Sequence, residues 1–136
     1  MADEGLLLFA HGARDPRWAE PFEAVVARIR AARPDVPVVL AFLEHASPSL
    51  RDALGDLRLQ GCRKVRIVPL FFGRGGHLRD DFPRMLDEAS RSVPDVAIDV
   101  TIAAGESDAV QAALAAFALA HLEGIVRDGL SAHDPA

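Results

Sequence analysis

The sequence predicts an α/β fold: a single three-layer domain in which helices cover both faces of a four-stranded parallel sheet. Three features of the 136 residues predict it. Four short apolar runs recur at nearly even spacing, a helical apolar pattern follows each run, and the first three runs are continuous rather than alternating. Continuous apolar runs are typical of strands that are covered on both faces, as parallel strands are. The runs span residues 6–10, 36–42, 65–70 and 96–102.

A helix is predicted after each strand, because apolar residues there repeat three and four positions apart. Candidate helix starts are Asp15 and Ser47, each before a proline at the first helical position, and Ser107. The fourth helix is predicted to continue through an alanine-rich stretch to Val126. The apolar positions of the four helices are Phe22, Val25, Val26 and Ile29; Leu50, Ala53, Leu54 and Leu57; Phe82, Met85, Leu86 and Ala89; and Val110, Ala113, Leu114 and Phe117.

The order of the strands determines which loops meet. Right-handed crossovers between parallel strands leave few topologies, and we predict the flavodoxin-like order 2-1-3-4. Strands 1 and 3 are then neighbours, and ligands bind beyond the carboxyl ends of the strands at such a switch point. The loops expected there are residues 10–15 and 72–77.

The composition is that of an ordinary globular protein, with 50% hydrophobic and 26% charged residues. The length fits one domain over residues 1–136, with a core at about 5–127 and a flexible tail at 128–136. The net charge of −5 argues against nucleic-acid or anionic-membrane partners, which favour basic surfaces. Because Cys62 is the only cysteine and no apolar leader or span is present, we expect a cytoplasmic protein.

Two histidines occupy the loops at the predicted switch point. His11 directly follows the first strand and precedes Gly12, and His77 follows the third strand. Imidazoles from two such loops can bind a divalent cation or relay protons near neutral pH. The alternative, which the residues alone leave open, is that each histidine merely caps its loop.

Glu44 lies at the end of the second apolar run, on the same edge of the sheet and beside strand 1. It could complete a metal-ligand set or act as a base, or it could be a solvated acid at a strand end. His45 is a weaker candidate, because alternation along a continuing strand would turn it to the opposite face.

Glycines with basic neighbours predict a site for acidic groups at the same edge. Backbone amides before a helix bind anions, and arginine pairs with carboxylates or phosphates. The Walker and G-x-G-x-x-G spacings are absent, so we expect no nucleotide. The candidate anion-binding residues are Gly12, Arg14, Arg17, Arg74, Gly75, Gly76 and Arg79.

Three segments together resemble one known family. Residues 7–16 read LLFAHGARDP, residues 41–50 contain AFLE and PSL, and residues 68–78 contain VPLFF and GGHL. They resemble the short, single-domain sirohydrochlorin chelatases of the CbiX type, among the class II tetrapyrrole chelatases. The resemblance covers roughly residues 6–114.

The resemblance implies a chelatase-like fold in which His11 and His77 handle the metal and Glu44 is the acidic residue beside them. It implies insertion of Co²⁺, or of Fe²⁺ or Ni²⁺, into sirohydrochlorin on the way to cobalamin or siroheme, without ATP. The arginines would bind the carboxylates of this anionic tetrapyrrole. Longer relatives resemble two such domains around one cleft, so we expect a homodimer, with the fourth helix as one candidate contact surface.

Two other functions are compatible with the sequence. A carrier of metal or tetrapyrrole on the same fold would keep both histidines but would lack turnover. Histidine phosphatases also place His-Gly after their first strand, but Ala10 stands where their phosphate-binding arginine precedes the histidine. A serine hydrolase is disfavoured because no G-x-S-x-G elbow is present.

Overall fold

Strands and helices alternate along the chain, as predicted. The computed structural model describes residues 3–73 and 75–122, with only the backbone at positions 76 and 77. The prediction that the fourth helix continues to Val126 is wrong, because the helix ends at Ala120 with His121 as its C-terminal cap. The predicted tail at 128–136 lies outside the described residues. The strands are β1 (Glu4–Ala10), β2 (Val38–Phe42), β3 (Lys64–Pro69) and β4 (Ala97–Val100); the helices are α1 (Glu20–Ala32), α2 (Leu50–Leu59), α3 (Gly76–Arg91) and α4 (Asp108–Ala120), with short 3₁₀ helices at Pro16–Ala19 and Ala104–Glu106.

The four strands form one parallel sheet in the order β2-β1-β3-β4, which confirms the predicted topology. β1 lies between β2 and β3, so that Phe9 faces Ala41 on one side and Pro69 on the other. Hydrogen bonds continue past the strand ends, where the Leu43 N–H donates to the Ala10 carbonyl at 2.8 Å. This pairing brings the segments that follow β1, β2 and β3 to the same edge of the sheet.

β1 is buried on both faces, which explains its continuous apolar sequence. Leu7 and Phe9 are 0% exposed and belong to the larger core cluster, together with Leu54 of α2. Leu8, on the opposite face, is 2% exposed and packs with Val26 of α1. Burying one such side chain stabilises the fold by about 1.5–3 kcal/mol, so β1 is the best anchored strand of the sheet.

The helix starts agree with the prediction at Ser107 and differ at the other two positions. Ser107 caps α4 by accepting the Val110 N–H at 3.4 Å. Asp15 caps the 3₁₀ helix Pro16–Ala19, and α1 begins only at Glu20. The prediction that Ser47 caps α2 is wrong: Ser49 is the cap, because its hydroxyl reaches the Asp52 N–H at 3.2 Å.

α4 is apolar and yet exposed at every position except Val110, which is partly buried. None of its residues is buried, and its main contacts are with the 3₁₀ helix Ala104–Glu106, where the Gln111 side chain donates to the Gly105 carbonyl. The sheet face over β3 and β4 is correspondingly open, since Arg66 and Asp99 form an ion pair there at 2.8 Å with side chains 61% and 66% exposed. Among the described residues, no helix has both the length and the hydropathy that crossing a membrane requires.

Two glycine-to-alanine substitutions should have opposite effects on stability. A Cβ at Gly105 would collide with the Phe72 carbonyl, so we expect Gly105→Ala to lower the free energy of unfolding by about 1–3 kcal/mol. A Cβ at Gly55, inside α2, meets nothing within 4 Å. Gly55→Ala should therefore raise that free energy by about 0.5–1 kcal/mol. Urea unfolding of both variants tests the difference, and equal effects would contradict this account of the Gly105 contact.

Candidate active site

His11 is the first residue beyond β1, at the carboxyl edge of the sheet. Its ring meets the buried Phe71 ring edge-on, with centroids 4.8 Å apart. The side chain is nonetheless 51% exposed, so one side of the imidazole rests on the core and the rest faces solvent. His11 is thus both held in place and accessible to a ligand.

Glu44 reaches His11 from the end of β2. Its Oε1 lies 3.0 Å from His11 Nδ1, and its Oε2 accepts the Gly12 backbone N–H at 2.9 Å. The strand register explains the contact between His11 and Glu44. Ala10 of β1 pairs with Phe42 of β2, and the segments after both strands continue toward the same edge of the sheet. Two of the three residues predicted to handle a metal are therefore in direct contact.

The charge of Glu44 determines which nitrogen of His11 is available. Burial raises the pKa of Glu44, but the hydrogen bonds from the Gly12 N–H and from His11 outweigh it, and the net pKa lies below the usual value. An ionised carboxylate can only accept hydrogen bonds, so the proton of a neutral His11 ring must sit on Nδ1. The lone pair of Nε2 is then free to bind a metal or to accept a proton.

Gly12 has a steric role in this arrangement. A Cβ at this position would collide with the Glu44 carbonyl oxygen, so only glycine allows the two loops to approach so closely. Its N–H, expected from the sequence to bind an anion, donates instead to the Glu44 carboxylate. Gly12 therefore orients Glu44.

Trp18 takes part in the site although the sequence analysis did not single it out. Its indole N–H donates to the His11 carbonyl at 2.7 Å, and its ring packs edge-on against Phe22 with centroids 5.8 Å apart. Trp18 is still 46% exposed. The available sequence signal was that the chain's only tryptophan follows the His11 loop at the start of a helix.

His77 is the second residue of α3, so the expectation that it lies in a loop is wrong: the helix begins at Gly76. The reason is that Gly75, in an extended conformation, already acts as the helix cap. α3 follows β3, and β3 pairs with β1, so the backbones at His11 and His77 emerge from adjacent strands. The His77 imidazole is outside the described side chains, and Arg74 lies outside the described residues.

The predicted basic residues differ in what they can offer a ligand. Arg17 is engaged by Asp15 at 2.8 Å, and this pairing lowers the pKa of Asp15 and raises that of Arg17. Arg14 and Arg79 are exposed. Arg79 borders a cavity of about 290 Å³ between α3 and the second 3₁₀ helix, which is also lined by Leu78, Phe82, Pro83 and Glu106.

His45 does not continue β2. The strand ends at Phe42, and His45 adopts a left-handed backbone with φ of 62° and an exposed side chain. Within residues 3–73 and 75–122, no three histidine, cysteine or acidic side chains cluster closely enough to hold a metal. The described part of the candidate site is therefore the His11–Glu44 pair.

The chain's sequence matches the family model named CbiX over residues 5–118. Among curated relatives, a sirohydrochlorin cobaltochelatase of Saccharolobus solfataricus is 33% identical over 106 residues, or 73% of this chain and 79% of the relative. A protein of the same name from Methanococcoides burtonii is 33% identical over 82 residues, or 60% of this chain. That match spans 63% of the relative's length, slightly less than two thirds.

Solved structures share the fold. A crystal structure from Marinobacter aquaeolei VT8, described as a cobalamin (vitamin B12) biosynthesis CbiX protein, superposes with a TM-score of 0.79 at 29% identity. The match covers 89% of this chain and 98% of that one. SirB from Bacillus subtilis, solved with Fe³⁺, has a TM-score of 0.70 at 24% identity, and the match covers 85% of this chain and 46% of SirB.

The family match covers the segments that carry the candidate site residues. The family match extends from β1 through most of α4 and includes the segments that carry His11, Glu44 and His77. The match confirms the resemblance that the LLFAHGARDP and GGHL segments of the sequence indicated. The chain belongs to the CbiX family.

Proposed function

We propose that the protein is a chelatase that inserts a divalent metal, Co²⁺ or Fe²⁺, into sirohydrochlorin, with His11, Glu44 and His77 handling the metal. Ni²⁺ is a further candidate substrate, and no nucleotide takes part. The observation that carries the proposal is the contact between His11 and Glu44 at the carboxyl edge of the sheet, in a chain of the CbiX family. The names of the curated relatives support the choice of reaction.

The geometry suits a ligand that must release its metal. Glu44 holds the Nδ1 proton of His11, so Nε2 can bind the metal while the carboxylate fixes the orientation of the ring. His77 would provide the second nitrogen. Two imidazoles leave several coordination positions open, whereas closed structural sites use four protein ligands and retain their metal. The incoming macrocycle can then replace the protein ligands one at a time.

Insertion exchanges two protons for one metal ion. The divalent cation forms bonds to the four pyrrole nitrogens, and the two pyrrole N–H protons leave, so charge balances without any redox step. A neutral imidazole can accept such a proton near neutral pH once it has released the metal. Glu44 Oε1, 3.0 Å from His11 Nδ1, keeps the ring oriented during this exchange.

Carboxylates on the macrocycle require positive groups nearby. Arg14 and Arg79 are exposed at this edge, whereas Arg17 is largely neutralised by Asp15. The amides of the first turn of α3, at Gly75 and Gly76, add the partial positive charge of a helix N-terminus. We propose that Arg14, Arg79 and these amides bind the acidic side chains, with Arg74 as a further candidate.

We also propose that two copies of the chain form the working unit. α4 presents Leu114, Phe117 and Leu119 at 45%, 55% and 67% exposure, an apolar surface that a lone subunit leaves in water. A groove of about 430 Å³ beside α1 lies on the open sheet face, and its lining combines apolar residues such as Leu6 and Ile29 with charged ones such as the Arg66–Asp99 pair. Docking of α4 from a second copy into this groove would cover both surfaces, and two-fold pairing repeats the contact.

Removal of either histidine should abolish insertion. His11→Ala and His77→Ala should each lower the rate of Co²⁺ insertion into sirohydrochlorin roughly 100-fold or more, since each removes a proposed metal ligand. The fold should survive, because His11 is half exposed. Anaerobic absorbance spectroscopy measures the rate, and circular dichroism checks the fold.

His45→Asn is the matched control for this experiment. It removes an imidazole from the same edge, and asparagine tolerates the left-handed backbone found there. Its rate should stay near that of the wild type. Unchanged turnover in His11→Ala would refute the proposed role, and stoichiometric binding without repeated turnover in the wild type would favour a carrier.

Glu44→Gln should impair metal handling more than macrocycle binding. The Gly12 N–H would keep the amide oxygen as its acceptor, which turns the amide NH₂ toward His11 Nδ1 and places the imidazole proton on Nε2. We expect Co²⁺ affinity and kcat to fall about 10–100-fold while the KM for sirohydrochlorin changes little. Equal losses in kcat and in macrocycle affinity would instead assign Glu44 to substrate binding.

A charge on α4 should dissociate the proposed dimer. Phe117→Asp places a carboxylate on the apolar surface of α4, and light scattering should then report a monomer. Leu59→Asp, at the far end of α2 and 83% exposed, is the control and should remain dimeric. A wild type that is monomeric at micromolar concentration and keeps its specific activity on dilution would contradict the proposal.

A further inference from the structure

We propose that Trp18, Phe72 and Ile102 form an apolar platform that binds one face of the tetrapyrrole beside His11, and that Trp18 also positions His11 through its indole N–H. The inference rests on the proposed function and adds substrate-binding residues to it. The exposed large hydrophobic side chains of the described residues fall mainly into two sets, one on α4 and one at the carboxyl edge of the sheet. The platform is the second set.

The three platform residues follow three different strands. Trp18 lies in the 3₁₀ helix after β1, Phe72 comes shortly after β3, and Ile102 shortly after β4. They are 46%, 72% and 55% exposed. β1, β3 and β4 are successive neighbours and together cover two strand spacings, about 10 Å. We infer a platform of at least that width, which suits a flat macrocycle better than a narrow ligand.

Backbone contacts hold Phe72 at the surface. The Gly105 N–H donates to the Phe71 carbonyl at 2.9 Å, and Gly105 packs so closely on the Phe72 backbone that no side chain fits between them. Phe71 points inward, where its ring meets both Phe9 and His11. Phe72 therefore remains exposed next to a residue that touches the metal-handling histidine.

Trp18 is connected to His11 in a different way. Its N–H donates a hydrogen bond to the His11 carbonyl oxygen at 2.7 Å. The indole therefore helps to fix the backbone position from which the imidazole projects. Its exposed ring surface remains available for stacking. Flat conjugated ligands stack on aromatic rings, and burying exposed apolar rings under such a ligand releases water from both surfaces. Exposed Arg14 in the same segment suits the acidic rim of the macrocycle.

Four variants separate the two roles. Phe72→Ala should raise the Kd and the KM for sirohydrochlorin about tenfold, with kcat nearly unchanged, because only ring burial is lost. Trp18→Phe keeps a ring but removes the donor to His11, so kcat should fall several-fold while Kd changes less than about twofold. Trp18→Ala should show both effects. Leu59→Ala, exposed on α2 at the opposite edge, should change neither value.

Binding of metal-free sirohydrochlorin is measured by absorbance titration for every variant, and insertion by steady-state kinetics. Trp18 emission gives a second binding signal, since the chain has one tryptophan and no tyrosine. Circular dichroism and thermal unfolding check each variant, and Trp18→Phe serves as the conservative change if Trp18→Ala unfolds.

The results distinguish this inference from the proposed function. Kd values of Phe72→Ala and Trp18→Ala within twofold of Leu59→Ala, in a protein that inserts metal, would overturn the platform alone. A wild type that binds sirohydrochlorin in a Phe72-dependent way but never inserts metal would overturn the chelatase and support the platform. A wild type that binds no macrocycle would overturn both.

Discussion

The backbone of β1 hydrogen-bonds to β2 on one side and to β3 on the other, and every feature of the candidate site depends on this double pairing. It places the segments after three strands at one edge of the sheet, so His11, Glu44 and Phe71 meet although the sequence separates them by tens of residues. The burial of Leu7, Leu8 and Phe9 on both faces stabilises the arrangement. A rigid strand thereby fixes the backbone from which the histidine projects.

At that edge, Glu44 contacts both His11 and the backbone of Gly12. One carboxylate oxygen takes the Gly12 N–H and the other faces His11 Nδ1, so a single side chain joins two loops and selects the tautomer of the imidazole. The absence of a side chain at Gly12 is what permits the approach. The result is a histidine ring that is oriented before any ligand binds, which is the geometry that the proposed metal-handling role requires.

Within the described part of the chain, most of the exposed large apolar side chains lie either on α4 or in the segments after the strands. At the carboxyl edge, Trp18, Phe72 and Ile102 are exposed, and the platform proposed from them would suit a flat ligand with an acidic rim. Along α4, the side chains of Leu114, Phe117 and Leu119 are exposed and no residue is buried, which suits the proposed contact with another protein surface. The proposed substrate-binding surface and the proposed dimer contact therefore lie on different elements of the chain.

The sequence by itself determined the strand order, the parallel sheet and the edge that bears the candidate site. Continuous apolar runs indicate strands buried on both faces, helical periodicity indicates the crossover helices, and right-handed crossovers leave few strand orders. It also identified His11 and Glu44 as candidates from their places after β1 and β2. Only the tertiary structure decided that Glu44 binds the Gly12 N–H as well as His11, that Trp18 supports the His11 carbonyl, and that α4 projects without burying a residue. The Gly12–Glu44 contact joins residues 32 apart in sequence, and no local pattern encodes the distance between two such segments once the chain has folded. The Trp18 contact and the exposure of α4 depend on how the 3₁₀ helix and α4 lie against the rest of the fold, which residue periodicity does not specify.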